Sequence, residues 1–305
     1  MSVRFCGLEL AHPVLNGSGT FDALAAAEAF GEGLLEDFPF AAYVSKTITL
    51  APRAGNPPPR IWEVPAGMIN SIGLPNKGLD GYLEVDLPRL AGITTRGHAP
   101  GGELRDVPLI TNVMGSSAAE LLELVEACER RAEIAAIELN VSCPNVHTGL
   151  DIGADPDQLR AVLEQLRGAS GKPLIVKLTP NAADVPACAL AAEEGGADAV
   201  SLINTLRAMA LAPASNGARA RPWLGGTTGG LSGPAVRAVA LAQVAAVAAR
   251  VQIPVIGMGG VQTGAHAREL LEVGASLVAV GTESFRDPGA GRRIARELQA
   301  QGAPL

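Results

Sequence analysis

Two lysines lie in the sequence among apolar residues that are typical of buried strands. Lys177 is part of the segment Ile175–Leu178, and Lys46 follows Tyr43 and Val44 in a second segment of this kind. A lysine in such a place is either exposed or paired, because an unpaired buried ammonium is costly. The apolar neighbours favour pairing, so we expect both ammonium groups to face a bound anion or an electron-rich ring.

One cysteine is placed for chemistry. The four cysteines are scattered and form no C-x-x-C pair, so the sequence contains no zinc or iron–sulfur motif. Cys6, Cys128 and Cys188 are interpreted as small buried hydrophobic residues. Cys143 differs because it lies in the polar segment 140–145, directly after a predicted strand. A loop thiol whose pKa is lowered can act as a base or a nucleophile, so we single out Cys143.

Glycine-rich turns follow the last two predicted strands. The segments Gly257–Val261 and Val280–Thr282 each end a strand and precede a helical segment. Glycines in such turns let backbone N–H groups approach an anion, and the start of a helix favours negative charge. The two turns together indicate a phosphate-bearing ligand such as flavin mononucleotide (FMN). No G-x-G-x-x-G motif follows an early strand, which disfavours a dinucleotide-binding fold.

Short apolar segments alternate with helical patterns along the chain, which is typical of a parallel α/β fold. The predicted strands lie near Val14–Asn16, Ala42–Lys46, Leu109–Val113, Ala136–Val141, Leu174–Leu178, Ala199–Asn204, Val255–Met258 and Leu277–Val280. The predicted helices are Ser117–Arg131, Pro156–Arg167, Asp184–Gly195, Pro234–Ala249 and Thr263–Val273. The number of strands and their continuous apolar character favour a closed (β/α)8 TIM barrel over an open sheet.

Two intervals are too long for one strand–helix unit. We predict that Thr47–Val107 and Leu206–Ile253 are insertions at the C-terminal face of the barrel, with a helix inside the second. Each predicted strand ends in or leads into a polar residue or a glycine, and the C-terminal rim of such a barrel is where active sites are built. We find no linker and no repeat, so residues 1–305 are predicted to form one FMN-binding barrel domain.

The composition disfavours several classes of protein. The chain has 24 basic and 31 acidic residues and a net charge of −7, which argues against binding to nucleic acid or to anionic lipid. No apolar run reaches the roughly 18–20 residues of a membrane span, and the N-terminus shows no apolar signal segment. We therefore expect a cytoplasmic protein with free thiols.

Longer motifs give the sequence a family likeness. It resembles class 1 dihydroorotate dehydrogenase, and most closely the class 1B catalytic subunit. The matching segments are N-G-S-G-T-F (16–21), 45–60, 67–78, N-V-S-C-P-N (140–145), 176–181, I-N-T (203–205), 228–234, G-M-G-G-V-Q-T-G (257–264) and 279–282. They follow the order of the family over nearly the whole chain, and N-V-S-C-P-N and P-R-A-G-N-P-P-P-R are the most specific of them.

The resemblance implies a barrel that holds FMN at its mouth and oxidises (S)-dihydroorotate to orotate in pyrimidine (UMP) biosynthesis. Cys143 matches the catalytic base that removes the C5 proton while hydride passes from C6 to FMN. The residues that match FMN contacts are Ser18, Lys46, Thr47, Asn112, Asn140, Lys177, Ile203, Gly233, Gly259, Gly260, Gly281 and Thr282. The residues that match substrate contacts are Lys46, Asn70, Ser71, Ile72, Gly73, Leu74, Asn140, Asn145, Asn204 and Thr205. No metal site is implied.

The likeness to class 1B also implies partners. Members of this class form a homodimer core and pass electrons to NAD+ through a second subunit that carries FAD and a 2Fe-2S cluster. The present sequence has neither a cysteine cluster nor a dinucleotide fingerprint, so such a partner would be a separate chain. The loop after Cys143 departs from the family pattern, since His147 and Leu150 replace a lysine and a glycine.

Three alternatives share parts of this pattern. A class 1A enzyme, a homodimer that reduces fumarate, has similar motifs, although G-M-G-G-V-Q-T favours class 1B by likeness. A dihydropyrimidine dehydrogenase acting on uracil or thymine would share the cysteine and much of the FMN site. Its substrate has no carboxylate, however, and so has no need for Lys46 and Asn70–Leu74. A non-catalytic FMN carrier would not need Cys143 together with the two lysines.

Overall fold

A barrel of eight parallel strands forms the centre of the protein. The computed structural model describes residues 2–31, 37–94, 107–141, 152–212 and 219–300. The strands are β1 (Val3–Phe5), β2 (Leu8–Leu10), β3 (Val14–Asn16), β4 (Tyr43–Val44), β5 (Ile61–Val64), β6 (Gly67–Asn70), β7 (Leu109–Val113), β8 (Ala136–Asn140), β9 (Leu174–Lys177), β10 (Ala199–Leu202), β11 (Leu206–Ala208), β12 (Gly229–Ser232), β13 (Val255–Met258) and β14 (Leu277–Val280). In the barrel, β3, β4, β7, β8, β9, β10, β13 and β14 lie side by side in chain order. The predicted barrel is confirmed, and each predicted strand overlaps an observed one.

A side chain closes the barrel between β3 and β4. Asn16 is fully buried; its Nδ2 donates to the Val44 carbonyl oxygen at 2.7 Å, and its Oδ1 accepts from the Val44 N–H at 2.8 Å. The Ala41 N–H adds a bond to the Val14 carbonyl oxygen at 3.0 Å. Because unpaired backbone groups are costly inside a protein, Asn16 supplies the bonds that a neighbouring backbone would otherwise make.

Helices connect the strands and cover the outside of the barrel. They are α1 (Ala23–Phe30), α2 (Gly78–Gly81), a π-helical segment (Tyr82–Asp86), α3 (Leu87–Thr94), α4 (Ala118–Glu129), α5 (Pro156–Arg167), α6 (Val185–Glu194), α7 (Arg237–Ala248), α8 (Gly264–Glu272) and α9 (Ala290–Ala300). Asp155, Asp184 and Thr263 begin α5, α6 and α8, because each side chain accepts a backbone N–H of the first turn. The five predicted helices are confirmed, whereas α1, the helical stretch 78–94 and α9 were not predicted. In the described ranges, no helix is both long and apolar enough to cross a membrane.

The barrel interior changes from apolar to polar toward the C-terminal ends of its strands. Ala136, Ile175 and Ala199 belong to an apolar cluster that also contains Phe5 and Leu10 of the β1–β2 hairpin. Side chains two positions apart on a strand face the same side of the sheet. Two positions further along, the same three strands carry buried polar side chains: Glu138, Lys177 and Ser201. Polar groups therefore gather near the C-terminal mouth.

The two insertions meet in one antiparallel sheet. β5 and β6 come from the first insertion, β11 and β12 come from the second, and the strand order is β11-β12-β6-β5. The sheet contacts the barrel mouth, since the Thr282 hydroxyl after β14 donates to Ser232 Oγ at 2.9 Å. The predicted position of the insertions and the helix α7 within the second are confirmed. The pairing of the two insertions was not predicted.

We expect Asn16→Ala to lower the free energy of unfolding by about 2–4 kcal/mol, because both polar backbone groups of the buried Val44 lose their partner. Urea unfolding of the ligand-free protein measures the change. Gln165→Ala is the control, since the Gln165 amide is exposed and bonds only to Ala161 within α5. An Asn16→Ala protein as stable as this control would show that the barrel closes without the side chain.

Candidate active site

A network of buried polar groups crosses the barrel below its mouth. Asn112 Nδ2 on β7 donates to Oε2 of Glu138 on β8 at 2.5 Å, and the Ser201 hydroxyl on β10 donates to Oε1 at 2.7 Å. The Asn112 N–H donates to Ser45 Oγ at 3.0 Å. Within the described part of the chain, Oδ1 of Asn112 has no hydrogen-bond partner. The network therefore leaves one buried acceptor for a donor that is not part of these residues.

Lys177 places a buried ammonium group in the site. It ends β9, in register with Asn140 on β8 and with Ser201 on β10, and it lines the cavity at the barrel mouth. The residue is only 6% exposed, yet no described residue gives its ammonium a hydrogen bond or an ion pair. Because a buried charge without a partner is strongly unfavourable, this position suits an anion or an electron-rich ring.

Lys46, just after β4, lies in the wall of the same cavity but already has a partner. Its Nζ is 2.5 Å from Oδ2 of Asp22, the residue that caps α1. Partial burial of Asp22 acts to raise the pKa of its carboxyl group, but the hydrogen bond and the charge of Lys46 hold that pKa below its usual value. Asp22 is therefore a carboxylate at neutral pH, and it neutralises one side of the Lys46 ammonium.

Glycines form the end of the cavity next to β13 and β14. Gly259 and Gly260 have φ values of +136° and +71°, which residues with a side chain rarely adopt. A Cβ on Gly259 would also lie 2.6 Å from Cβ of Ala240. Gly233 and Gly281 line the same cavity. Backbone that no side chain covers can approach a phosphate group closely and donate N–H groups to it.

The segment after β6 forms another part of the wall. Four of its residues line the cavity: Asn70, Ile72, Gly73 and Leu74. Asn76 holds this segment in place, since its Nδ2 donates to the Leu74 carbonyl oxygen at 2.9 Å and its Oδ1 accepts the Gly78 N–H at 2.8 Å. Ser71 does not line the cavity, because its side chain is buried and accepts a bond from Asn56 Nδ2 at 3.0 Å.

Amides and hydroxyls from the barrel strands complete the lining. Asn140 at the end of β8 donates from Nδ2 to the Thr47 hydroxyl at 3.1 Å. Asn204 Oδ1 accepts the Thr205 N–H at 2.9 Å. Groups of this kind offer both donors and acceptors, so they can recognise the polar edge of a flat heterocyclic ring.

The cavity brings together most of the residues that the sequence predicted. Those that line it are Ser18, Lys46, Thr47, Asn70, Ile72, Gly73, Leu74, Asn140, Lys177, Ile203, Asn204, Thr205, Gly233, Gly259, Gly260, Gly281 and Thr282. Asn112 lies below the mouth and Ser71 faces Asn56, so neither is part of the lining. Cys143 and Asn145, like His147 and Leu150, lie outside the described residues. The role of each single residue stays a prediction.

Some lining residues were not predicted. Several flank predicted ones within the same motifs, and that position was the available signal: Gly17, Gly19, Thr20, Met68, Pro75, Ser232 and Met258. Ile61 and Phe285 are different, because they lie outside every motif and are large apolar side chains that remain 47% and 56% exposed. Nothing in the sequence marks these two as part of the site.

The donor set fits a flat, electron-rich ligand that carries a phosphate. Lys177 offers a buried ammonium, Asn112 offers a buried acceptor, and the glycine end offers uncovered backbone. A flavin nucleotide has the complementary groups, namely ring carbonyl oxygens, a ring N–H and a phosphate. The fold and the site together define a TIM-barrel protein built to bind such a ligand at its mouth.

Comparison with known proteins gives the family. The family model for dihydroorotate dehydrogenase matches residues 1–301. The protein named dihydroorotate dehydrogenase B (NAD(+)), catalytic subunit, of Geobacter sulfurreducens is 44% identical over 301 residues, which cover 98% of this chain and 92% of that protein. The protein of the same name from Desulforudis audaxviator is 44% identical over 302 residues, covering 98% and 91%. A crystal structure of DHODH from Eimeria tenella in complex with ferulenol has a TM-score of 0.77 and 26% identity, and the match covers 98% of this chain and 84% of that one.

The chain belongs to the dihydroorotate dehydrogenase family, whose members are flavoenzymes. The predicted family, the class 1B type and the oxidoreductase class are confirmed. The name "catalytic subunit" implies that these relatives work with a separate partner subunit. The relatives thus favour class 1B over the class 1A and dihydropyrimidine alternatives.

We expect Lys177→Met to stabilise the ligand-free protein by about 1–3 kcal/mol, because it removes a buried charge without a partner and keeps most of the side-chain volume. Lys172→Met is the matched control. The Lys172 ammonium donates to the carbonyl oxygens of Arg131 and Ile134 at 3.0 and 2.8 Å, so its loss should destabilise the protein. Urea unfolding measures the change in the free energy of unfolding, which should be positive for Lys177→Met and negative for Lys172→Met. Destabilisation by Lys177→Met would mean that its ammonium already has a partner.

Proposed function

We propose that this chain oxidises (S)-dihydroorotate to orotate, in pyrimidine biosynthesis, with FMN bound at the barrel mouth. The observation that carries this proposal is the buried Lys177 ammonium, which faces the cavity and has no partner among the described residues. Family membership supports the reaction, and the lining of the cavity supports the place where it occurs. When bound, FMN would supply the acceptor for the hydride that leaves C6 of the substrate.

Three groups of residues are assigned to FMN. Lys177 would hold the electron-rich part of the ring with its positive charge, and a cation there would favour reduction of the ring. Asn112 is assigned a contact from below through its free Oδ1. The phosphate is assigned to the glycine end, with Gly233, Gly260 and Gly281. The predicted set is completed by Ser18, Lys46, Thr47, Asn140, Ile203, Gly259 and Thr282.

The substrate is assigned to the other part of the lining. Its carboxylate needs a cation and N–H donors, which Lys46 and the segment 70–74 supply. Its ring needs neutral donors and acceptors, which Asn140, Asn204 and Thr205 supply. Asn145, which is assigned to the substrate by resemblance, lies outside the described residues. A dihydropyrimidine without a carboxylate would leave Lys46 without this use.

Cys143 is assigned as the base that takes the proton from C5. Asn140 lines the cavity, and chain connectivity keeps the Cα of Cys143 within about 11 Å of the Cα of Asn140, at about 3.8 Å per residue. Burial raises the pKa of Cys6 and of Cys188 to about 11 and that of Cys128 to about 12. These three thiols are therefore poor bases at neutral pH, which leaves Cys143 as the candidate.

We infer that the electrons pass from this chain to NAD+ through a separate subunit that carries FAD and a 2Fe-2S cluster. The names of the relatives, which include NAD(+) and "catalytic subunit", support this route. We also propose a homodimer of the present chain, a single domain over residues 1–305 and a cytoplasmic location. Size measurement of the chain expressed with and without its partner tests the assembly.

Cys143→Ala should leave FMN bound, so that the purified protein stays yellow, but should slow reduction of the flavin by dihydroorotate about 10²–10⁴-fold. Anaerobic stopped-flow absorbance measures the rate. Cys188→Ala, the control, removes a buried thiol of α6, and dihydroorotate should reduce its flavin at the wild-type rate. Near-normal reduction by Cys143→Ala would refute the base, and a wild-type protein that stays colourless with added FMN would refute the cofactor.

Alkylation should distinguish the cysteines in the native protein. At pH 8 a thiol with a pKa of about 11 is ionised to roughly one part in a thousand, so Cys6, Cys128 and Cys188 should react slowly with iodoacetamide. We expect mass spectrometry to find the rapid label on Cys143 and none in Cys143→Ala over the same time. Rapid labelling of any of the other three would contradict this expectation.

A further inference from the structure

Lys46 lies between two cavities. It lines the mouth cavity, and it also lines a second cavity between α1 and the helical stretch 78–94. In the second cavity, Lys77 pairs with Asp86 at 2.5 Å and Arg89 pairs with Glu28 at 2.8 Å. Among the charged residues described there, Asp22 and Lys46 remain as each other's partner, at 2.5 Å.

Asp22 is held in a fixed orientation. Its Oδ1 accepts the N–H groups of Leu24 and Ala25 at 3.1 and 3.2 Å, so this oxygen caps α1. The other oxygen, Oδ2, is the one that meets the Lys46 ammonium. Asp22 is therefore a carboxylate set by the first turn of a helix, and it cannot easily turn away when a second anion approaches Lys46.

We propose that Asp22 is a positioning residue that competes with the substrate carboxylate for Lys46 and so weakens the binding of substrate and product. The inference rests on the proposed function, which assigns Lys46 to that carboxylate. A carboxylate in the mouth cavity must either share the ammonium with Asp22 or draw it away, and in both cases the Asp22 charge opposes binding. The Lys46 side chain is 49% exposed, so the opposition is moderate.

The effect should fall on binding and not on the chemical step. Dihydroorotate and orotate carry the same carboxylate, so Asp22 destabilises substrate, transition state and product to a similar extent. KM for dihydroorotate and Kd for orotate should then change together, while kcat for flavin reduction stays near its wild-type value. Easier release of orotate is the benefit that the pair gives the enzyme.

Asp22→Asn tests the proposal, because asparagine still caps a helix but carries no charge. Titration of the FMN-loaded protein with orotate, followed by flavin absorbance, should give a Kd about two- to fivefold lower than wild type. The gain in affinity should shrink in 0.5 M salt, where exposed charges are screened beyond about 4 Å. Glu28→Gln is the matched control, since it removes one charge from the same helix beside Arg89, and its Kd should equal that of wild type.

Lys46→Ala separates this inference from the proposed function. It should weaken orotate binding at least tenfold, and adding Asp22→Asn to it should cause no further change, because the effect acts through the lysine. If Lys46→Ala binds orotate normally, both the Lys46 assignment and the inference fail. If only Asp22→Asn is without effect, or weakens binding, the inference alone fails. Asp22→Ser, which also caps, replaces Asp22→Asn if that variant does not fold.

Discussion

The buried ammonium of Lys177 is the constraint around which the site is arranged. Strand alternation places it in the barrel interior, where the residue is 6% exposed, and the apolar cluster below offers it no partner. The β1–β2 hairpin covers the other end of the barrel, where Cys6 Sγ donates to the Asp198 carbonyl oxygen. None of the described residues pairs with Lys177, and the cavity at the mouth is the side from which a ligand can reach it. The cost of this buried charge in the ligand-free protein falls when an electron-rich ring binds beside it, and the difference adds to the binding free energy.

The insertions give this mouth its second half. A TIM barrel supplies a rigid rim, but its strands end in short loops. Here Asn70 on β6 and Gly230 on β12 lie 160 positions apart in the chain and meet in one sheet. A Cβ on Gly230 would collide with the Thr205 side chain, so close approach of the two layers requires glycine at this position. The position of the segment 70–74, which follows β6, thus depends on both insertions being present together.

Much of this could be predicted from the sequence, for reasons that lie in local patterns. Apolar strands, the helices predicted to begin at Asp184 and Thr263, and the glycine turns are short-range features, and the structure contains them where they were expected. The side-chain closure by Asn16 and the pairing of β6 with β12 depend on contacts between distant segments. Ser71 matches the family motif, but its hydroxyl bonds to Asn56, which only the folded loop reveals.

Local charge, and not net charge, decides what this protein binds. The chain carries −7 overall, which would disfavour an anionic substrate if the whole surface acted on it. Exposed charges are screened beyond about 8–10 Å at physiological salt, whereas buried ones are screened much less. Lys177 is buried and has no partner among the described residues, whereas Lys46 is half-exposed and paired with Asp22. Lys177 should therefore attract an anion in this cavity more strongly than Lys46 does. In the proposed function, Lys177 faces the flavin ring, and Lys46, whose charge Asp22 partly neutralises, faces the carboxylate of the product that must leave after each turnover.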